Sequence, residues 1–192
     1  MKEQLNYGRI EPSFCPWNSP VFVIKKKSGK WRMLIDLHNV NDTMVSMGAL
    51  QPGLPNPAMI PKNWPVIIID LQDCFFTLPL HEEDRQSFAF SIPMTNNIHP
   101  FQRYHWKVLP QGMKNSPTIC QYLVTQTLQP VRDTYPNAYI IHYMDDILLA
   151  DASSLQLDKN FSDTVQQLQG HGLIISEEKS NLQSLLIIWA IF

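Results

Sequence analysis

The chain has 192 residues, of which 44% are hydrophobic, and it contains 15 prolines against 7 glycines. This length and composition allow one sizeable core or two small ones, and they exclude a disordered or low-complexity protein. The net charge of −2 excludes nucleic-acid binding through total charge, and the spacing of Cys15, Cys74 and Cys120 predicts neither a disulfide framework nor a zinc pair.

The charge is divided unevenly along the chain. Residues 1–62 carry 8 Lys/Arg and 4 Asp/Glu, whereas residues 63–192 carry 7 and 13. A basic front and an acidic back suit a protein that holds a polyanion on one part and metal cations on another, although an uneven surface charge without functional meaning explains the same numbers. The apolar segment Leu185–Phe192 is far shorter than the roughly 20 residues that span a bilayer. With no secretory signal at its start, the chain is expected to be soluble and intracellular, without a membrane partner.

The first half of the chain predicts mainly strands. A short helix at the start is expected to end at Gly8. Val21–Lys27 and Lys30–Asp36 then predict two strands joined by Ser28-Gly29, which is a hairpin signal. The continuous β-branched run Val66–Leu71 predicts a strand that is buried on both faces.

The second half predicts helices around a hairpin. Asn115-Ser116-Pro117 is typical of a helix start, and Pro130 and Pro136 are expected to close that region. A helical stripe of Leu157, Phe161, Val165 and Leu168 predicts a second helix that ends at Gly170. The order of strand, helix, hairpin and helix predicts an α+β fold, with an antiparallel sheet that has helices on one face.

Three carboxylates indicate the chemistry. Asp145 and Asp146 are predicted to form the two-residue turn between the apolar strands Tyr139–Met144 and Ile147–Ala150. Such turns favour Asn-Gly or Asp-Gly, so two adjacent negative charges there suggest a bound cation. Asp70 ends a buried strand, where a charge needs a partner or a metal. Taken alone, a solvated loop and a strand end facing water remain the alternatives for these residues.

Four patterns stand along the chain: Val21–Lys27 with Lys30-Trp31-Arg32, Ile69–Phe76, Leu109–Met113 with Asn115-Ser116-Pro117, and Tyr143-Met144-Asp145-Asp146. In that order they resemble the fingers hairpin, the first catalytic aspartate motif, the LPQG…SP motif and the Tyr-X-Asp-Asp box of retroviral reverse transcriptases. The resemblance runs from about residue 3 to about residue 180 and is closest to the Pol polyproteins of betaretrovirus-like endogenous elements.

The resemblance implies a fold and a reaction. The fold is that of reverse-transcriptase fingers and palm, with residues 1–45 and 78–115 fingers-like and residues 46–77 and 116–180 palm-like. The reaction is RNA-directed DNA polymerisation, in which a nucleotide passes from a deoxynucleoside triphosphate to a primer 3′-hydroxyl on an RNA or DNA template. The expected location is the cytoplasm or a virus-like particle.

The resemblance also implies roles for individual residues. Asp70, Asp145 and Asp146 are implied to bind two Mg²⁺ or Mn²⁺ ions. Residues implied to bind the nucleotide are Lys26, Arg32, Asp73, Cys74, Phe75, Gln111 and Lys179. Residues implied to bind nucleic acid are Lys25, Lys27, Lys30, Tyr143 and Met144.

The chemistry of several side chains suits these roles. The guanidinium of Arg32 matches phosphate in a bidentate fashion, Phe75 excludes a 2′-hydroxyl by its bulk, and Lys179 can protonate pyrophosphate. Each residue has a plainer alternative. Lys25–Lys27 can be an exposed basic hairpin, Phe75 a core aromatic like the adjacent Phe76, and Lys179 a surface lysine.

Two departures from the family are expected to matter. His38 replaces a family arginine in Ile35–Asn41, so a shorter and mostly neutral ring stands in place of a fixed charge. Residues 181–192 no longer resemble the family, and they are expected to form a divergent tail of a chain that lacks the thumb, connection and ribonuclease H regions of a longer Pol product. Two alternatives to an active polymerase therefore stay open: a module that only binds nucleotide or nucleic acid, and a truncated endogenous-retroviral remnant that is catalytically weak or inactive.

Overall fold

A computed structural model of the chain describes residues 2–25, 29, 31–48, 56–92 and 102–176. The backbone divides into two compact units. Unit 1 consists of Met1–Gly48 with Phe75–Ser116, and unit 2 consists of Ala49–Cys74 with Pro117–Phe192. Each unit combines helices with antiparallel sheet, which confirms the mixed architecture predicted from the sequence.

Within the described residues the elements follow in this order: α1 (Lys2–Asn6), β1 (Ile10–Pro12), β2 (Val21–Lys25), β3 (Trp31–Ile35), α2 (His38–Thr43), β4 (Val66–Gln72), α3 (Cys74–Thr77), α4 (Glu82–Arg85), β5 (Ala89–Ile92), β6 (Gln102–Trp106), α5 (Ser116–Thr134), β7 (Tyr139–Tyr143), β8 (Asp146–Ala150), α6 (Ser154–Gly170) and β9 (Ile174–Ile175). Single 3-10 turns occur at Pro57–Met59 and Gln86–Phe88. In this part of the chain, no helix has both the length and the apolar character that crossing a membrane requires.

Unit 1 contains two antiparallel sheets. In the three-stranded sheet β6 lies between β1 and β5, and Phe90 of β5 is fully buried. β2 and β3 form a separate hairpin in which Val21 pairs with Ile35 and Lys25 pairs with Trp31. The predicted hairpin is therefore present, although Lys26, Lys27 and Lys30 of the predicted strands lie outside the described residues, and Asp36 follows the end of β3.

Unit 2 is built on a four-stranded antiparallel sheet in the order β7, β8, β4, β9. Ile68 and Ile69 of β4 are both buried. Because neighbouring residues of a strand point to opposite faces, both faces of β4 are covered, as predicted. Helix α6 packs against β4 and β8 and buries Leu157 and Leu168.

Two helix predictions need correction. Pro130 does not close α5, because the helix continues to Thr134 with the exposed proline inside it. Pro130 has no backbone N–H, so one hydrogen bond of the helix is lost at this position. Its neighbours Leu128 and Val131 are buried, and their packing stabilises the helix in spite of this loss. In α6 the buried face is partly polar: Asn160 and Thr164 are fully buried, whereas the predicted Phe161 and Val165 are half-buried.

The prediction that the cysteines form no disulfide is wrong for two of them. Cys74 and Cys120 are joined by a disulfide, and Cys15 is free and buried. The bonded pair is 46 residues apart in sequence. The fold brings the start of α3 next to the first turns of α5, which is a tertiary contact that cysteine spacing does not reveal.

Candidate functional site

The predicted metal-binding carboxylates lie together at one end of the sheet in unit 2. Asp70 of β4 and Asp146 of β8 are directly paired residues of the antiparallel ladder. Residues paired in this way have Cα atoms about 4.5–5.5 Å apart. Asp145 precedes Asp146, and its carbonyl oxygen accepts a hydrogen bond from the N–H of Leu71 at 2.7 Å. The structure therefore brings the backbones of the three aspartates to one corner of the sheet.

The turn that carries Asp145 differs from its prediction by one residue. Tyr143 pairs with Asp146, so the two turn residues are Met144 and Asp145, and Asp146 already belongs to β8. Met144 has φ 55°, a left-handed conformation that usually requires glycine. For a methionine this conformation costs about 1–2 kcal/mol. The backbone strain therefore falls on Met144 rather than on the paired aspartates.

A buried side chain from α5 holds this turn. The N–H of Met144 donates a hydrogen bond to Oε1 of Gln121 at 2.9 Å, and Gln121 is buried. Sequence reasoning missed Gln121, because its only local feature is its place in a helix that begins at Ser116. We infer that Gln121 positions the strained turn, and thereby Asp145.

A second strained residue follows the strand that carries Asp70. Asp73 has φ 55° and lies between the end of β4 and α3. Left-handed conformations of non-glycine residues cluster at functional sites, because surrounding structure must compensate for them. Cys74, the next residue, is buried and disulfide-bonded.

The two phenylalanines after Cys74 have different surroundings. In unit 1, Phe76 stacks on Trp106 with ring centroids 5.3 Å apart, and the guanidinium of Arg9 lies 4.4 Å from the centre of the Phe76 ring. Phe76 is half-buried, so it packs against these side chains but, contrary to the prediction, does not belong to the buried core. Phe75 is half-buried, and its predicted contact with the nucleotide sugar stays a prediction.

Two predicted nucleotide-binding residues touch each other in unit 1. Nη2 of Arg32 donates a hydrogen bond to Oε1 of Gln111, although the two are 79 positions apart. The loop that carries Gln111 is held by Asn41. Its Nδ2 donates to the carbonyl of Gly112 at 2.9 Å, and its Oδ1 accepts from the N–H of Lys114 at 2.8 Å. The motif that contains Asn41 was recognised in the sequence, but this role was not.

Of the lysines in the predicted hairpin, Lys25 lies within the described residues. Nζ of Lys25 lies 5.9 Å from the centre of the Trp31 ring, within cation–π range. Lys26, Lys27, Lys30 and Lys179 lie outside the described residues.

His38 is hydrogen-bonded to Asp36, and this contact favours the charged form of its ring. Its ring nitrogen Nδ1 and its backbone N–H both hydrogen-bond to Oδ1 of Asp36. The side-chain hydrogen bond to Asp36 raises the pKa of His38, and the backbone N–H of His38 is the first cause of the lowered pKa of Asp36. Both groups are exposed. The ring is therefore protonated over a wider pH range than a mostly neutral imidazole.

His142 lies in a buried polar network beside the turn. Nη2 of Arg132 donates a hydrogen bond to Nδ1 of His142 at 2.9 Å, and the hydroxyl of Thr125 lies 3.2 Å from Nε2. Burial, followed by the charge of Arg132, lowers the pKa of His142 to about 4. The ring is therefore neutral at pH 7 with its proton on Nε2, and it serves to connect β7 with α5.

The donor set at the carboxylate corner fits a hard divalent ion. Asp70, Asp145 and Asp146 offer oxygen ligands only, which Mg²⁺ and Mn²⁺ prefer. Oδ1 of Asp145 is buried, and an ionised oxygen in that setting is stabilised by a cation.

Comparison with known proteins places this geometry in context. The chain matches the family model described as reverse transcriptase (RNA-dependent DNA polymerase) over residues 24–185. It is 60% identical over 177 residues to the Gag-Pro-Pol polyprotein of Mouse mammary tumor virus (strain BR6). This match covers 92% of this chain and 10% of that polyprotein.

Two further Gag-Pro-Pol polyproteins are similar at a lower identity. That of Sheep pulmonary adenomatosis virus is 56% identical over 179 residues, and that of Mason-Pfizer monkey virus is 56% identical over 183 residues. The matches cover 93% and 95% of this chain, and 10% of each polyprotein. The chain thus spans about a tenth of the length of these relatives.

Proposed function

Because the chain belongs to the reverse transcriptase (RNA-dependent DNA polymerase) family, we propose that it is the catalytic part of an RNA-directed DNA polymerase. It would transfer nucleotides from deoxynucleoside triphosphates to the 3′-hydroxyl of a primer on an RNA or DNA template. Unit 1 corresponds to fingers and unit 2 to palm in this proposal, with residues 1–45 and 78–115 assigned to the first and residues 46–77 and 116–180 to the second.

The observation that carries the proposal is the pairing of Asp70 with Asp146, with Asp145 in the adjoining turn. Members of this family use divalent metal ions, and these three residues would hold two Mg²⁺ or Mn²⁺ ions. Bound there, the ions would stabilise charge on the attacking and leaving oxygens. The chain's own contribution is to fix the carboxylates, through the β4–β8 ladder and through Gln121 at the turn. Positioning of this kind supplies a large part of a polymerase's rate.

The nucleotide contacts are proposed residue by residue. Arg32 would bind the triphosphate through its guanidinium, and Gln111, which is hydrogen-bonded to it, would meet the sugar and base. Phe75 would exclude a 2′-hydroxyl, and the backbone amides of Asp73 and Cys74 would contact phosphate. Further nucleotide contacts are proposed for Lys26 and Lys179, and contacts with the template–primer for Lys25, Lys27, Lys30, Tyr143 and Met144.

The proposed partners follow from the reaction and from the size of the relatives. They are the template–primer, the deoxynucleoside triphosphate, and thumb, connection and ribonuclease H regions of a longer Pol product. The tenfold greater length of the matching polyproteins supports the proposal that such further regions belong to a longer product. The cytoplasm or a virus-like particle is the proposed location.

A primer-extension assay on the purified chain tests the proposal. With an oligo(dT) primer on a poly(rA) template and Mn²⁺ or Mg²⁺, labelled dTTP should be incorporated. Asp146→Asn should reduce incorporation to the background without protein, whereas Asp158→Asn, on an exposed position of α6, should not. Equal incorporation by Asp146→Asn and the parent chain contradicts the assigned carboxylates.

A binding measurement separates polymerisation from binding alone. Fluorescent dTTP that binds to the parent chain and is lost in Arg32→Ala, with no incorporation, favours the binding module. Binding that is unchanged in Arg32→Ala removes Arg32 from the nucleotide site.

A further inference from the structure

The side chains of two cysteines, which the proposed polymerase chemistry does not use, form a cluster with Asp145, one of the three proposed metal-binding carboxylates. The Sγ atoms of Cys74 and Cys120 and a carboxylate oxygen of Asp145 all lie within 4.8 Å of one another. Both cysteines are fully buried, and so is Oδ1 of Asp145. All three residues belong to unit 2.

We propose that the reduced chain binds a thiophilic divalent ion such as Zn²⁺ through Cys74, Cys120 and Asp145. Two thiolates and one carboxylate, with solvent as the fourth ligand, make the three-plus-one donor set that zinc accepts in open sites. Sulfur ligands select Zn²⁺ over Mg²⁺, which prefers oxygen. This site is therefore different in chemistry from the all-oxygen carboxylate corner, although the two share Asp145.

The ligands are held in place by contacts other than the disulfide. Cys74 follows β4, which is tied to the turn by the 2.7 Å hydrogen bond from the N–H of Leu71 to the carbonyl of Asp145. Cys120 precedes Gln121, whose side chain accepts the N–H of Met144. We therefore expect the three backbones to keep their positions when the disulfide is opened.

The spacing of the cysteines suits a shared ion. Their Cα atoms are 6.6 Å apart. Two sulfurs on one tetrahedral zinc, each at about 2.3 Å from it, lie roughly 3.8 Å from each other. Side-chain rotation within the same backbone frame can provide this separation once the sulfurs are no longer bonded.

Zinc binding and disulfide formation are mutually exclusive states of this pair. A dithiol reductant supplies two electrons and two protons to the Cys74–Cys120 bond and itself becomes a cyclic disulfide. The ion then replaces the two thiol protons, which pass to solvent. When Asp145 ligates zinc, it is no longer available to the Mg²⁺ or Mn²⁺ ions of the carboxylate corner. Zinc should therefore inhibit polymerisation in the reduced chain. This last consequence rests on the proposed function, whereas the binding itself does not.

Cobalt spectroscopy on the full chain tests the site without any activity measurement. One sample is reduced with dithiothreitol and desalted under argon, a matched sample is oxidised, and thiol alkylation with mass spectrometry verifies both states. Co²⁺ added to the reduced chain should give the sulfur-to-cobalt charge-transfer absorption at one ion per chain, and Zn²⁺ should displace it. The oxidised chain should give none.

Matched variants assign the ligands. Cys74→Ser, Cys120→Ser and Asp145→Asn should each weaken cobalt binding by at least about tenfold, since loss of even an outer-shell partner costs that much. Cys15→Ser and Asp158→Asn should bind as the parent does.

Four outcomes overturn the inference. They are no charge-transfer band in the reduced chain, a band that survives both cysteine variants, equal weakening by Asp145→Asn and Asp158→Asn, and loss of the folded far-ultraviolet circular dichroism on reduction. None of these results bears on primer extension. Failure of the zinc site and failure of the proposed polymerase are thus distinguishable.

Discussion

The backbone N–H of Met144 donates a hydrogen bond to Oε1 of Gln121, 2.9 Å away, across the space between the β7–β8 turn and helix α5. The donor belongs to a residue at φ 55°, and the acceptor belongs to a buried side chain. A strained backbone persists only where its surroundings hold it, and this contact is one such restraint. The position of Asp145 therefore depends on a residue that is distant in sequence and absent from the recognised motifs.

Replacing Gln121 by methionine should destabilise the chain by about 1–3 kcal/mol, because the N–H of Met144 loses its acceptor at similar side-chain volume. Urea unfolding followed by circular dichroism measures the change. Gln126→Met, at an exposed position of the same helix, serves as the control and should change stability by less than about 0.5 kcal/mol. Equal effects of the two substitutions contradict the role given to Gln121.

Comparing Met144→Gly with Met144→Ala isolates the strain in the turn. Both variants remove the side chain, so they differ mainly in how well each residue tolerates φ 55°. Glycine adopts this conformation without a steric penalty, so the glycine variant should be more stable by about 1 kcal/mol. The difference in urea midpoint between the two variants measures it. A more stable alanine variant shows that the turn does not impose this backbone geometry in solution.

The apolar patterns of the strands made part of this site predictable. The β-branched run that leads to Asp70 and the apolar runs around Asp145–Asp146 predict buried strands, whereas the convergence of the three aspartates was implied only by the family resemblance. The turn was misplaced by one residue, because its position depends on register. That register is set by pairing with β4, including the hydrogen bond from Leu71 to Asp145.

Contacts between distant residues were not predictable in the same way. The Cys74–Cys120 disulfide and the contact of Gln121 with Met144 both depend on where α5 packs. No local pattern encodes that packing. Pro130 shows the converse, since a strong local helix breaker was overridden by the burial of residues on either side of it.

The exposed ion pair of His38 and Asp36 should be visible by NMR titration. The pKa of His38 is raised chiefly by the hydrogen bond to Asp36, and less by the charge of Asp42. Asp36→Asn should therefore lower the pKa of His38 towards its ordinary value of about 6.5, and Asp42→Asn should lower it less. Shifts of the His38 ring protons against pH give both values. An unchanged His38 pKa in Asp36→Asn means that the pair does not form in solution.

The buried His142 should make the chain less stable in mild acid. Its folded pKa of about 4 lies below the unfolded value of about 6.5, so the unfolded chain binds more protons between these pH values. Stability from neutral His142 is thus complete above pH 6.5 and declines as the pH falls towards 4, by about 3 kcal/mol in all. His142→Gln keeps an acceptor for Arg132 and a donor for Thr125 but does not titrate. The free energy of unfolding, measured with urea from pH 7 to 4, should therefore fall more steeply for the parent chain than for His142→Gln. Parallel curves for the two proteins would show that His142 is protonated without cost in the folded state.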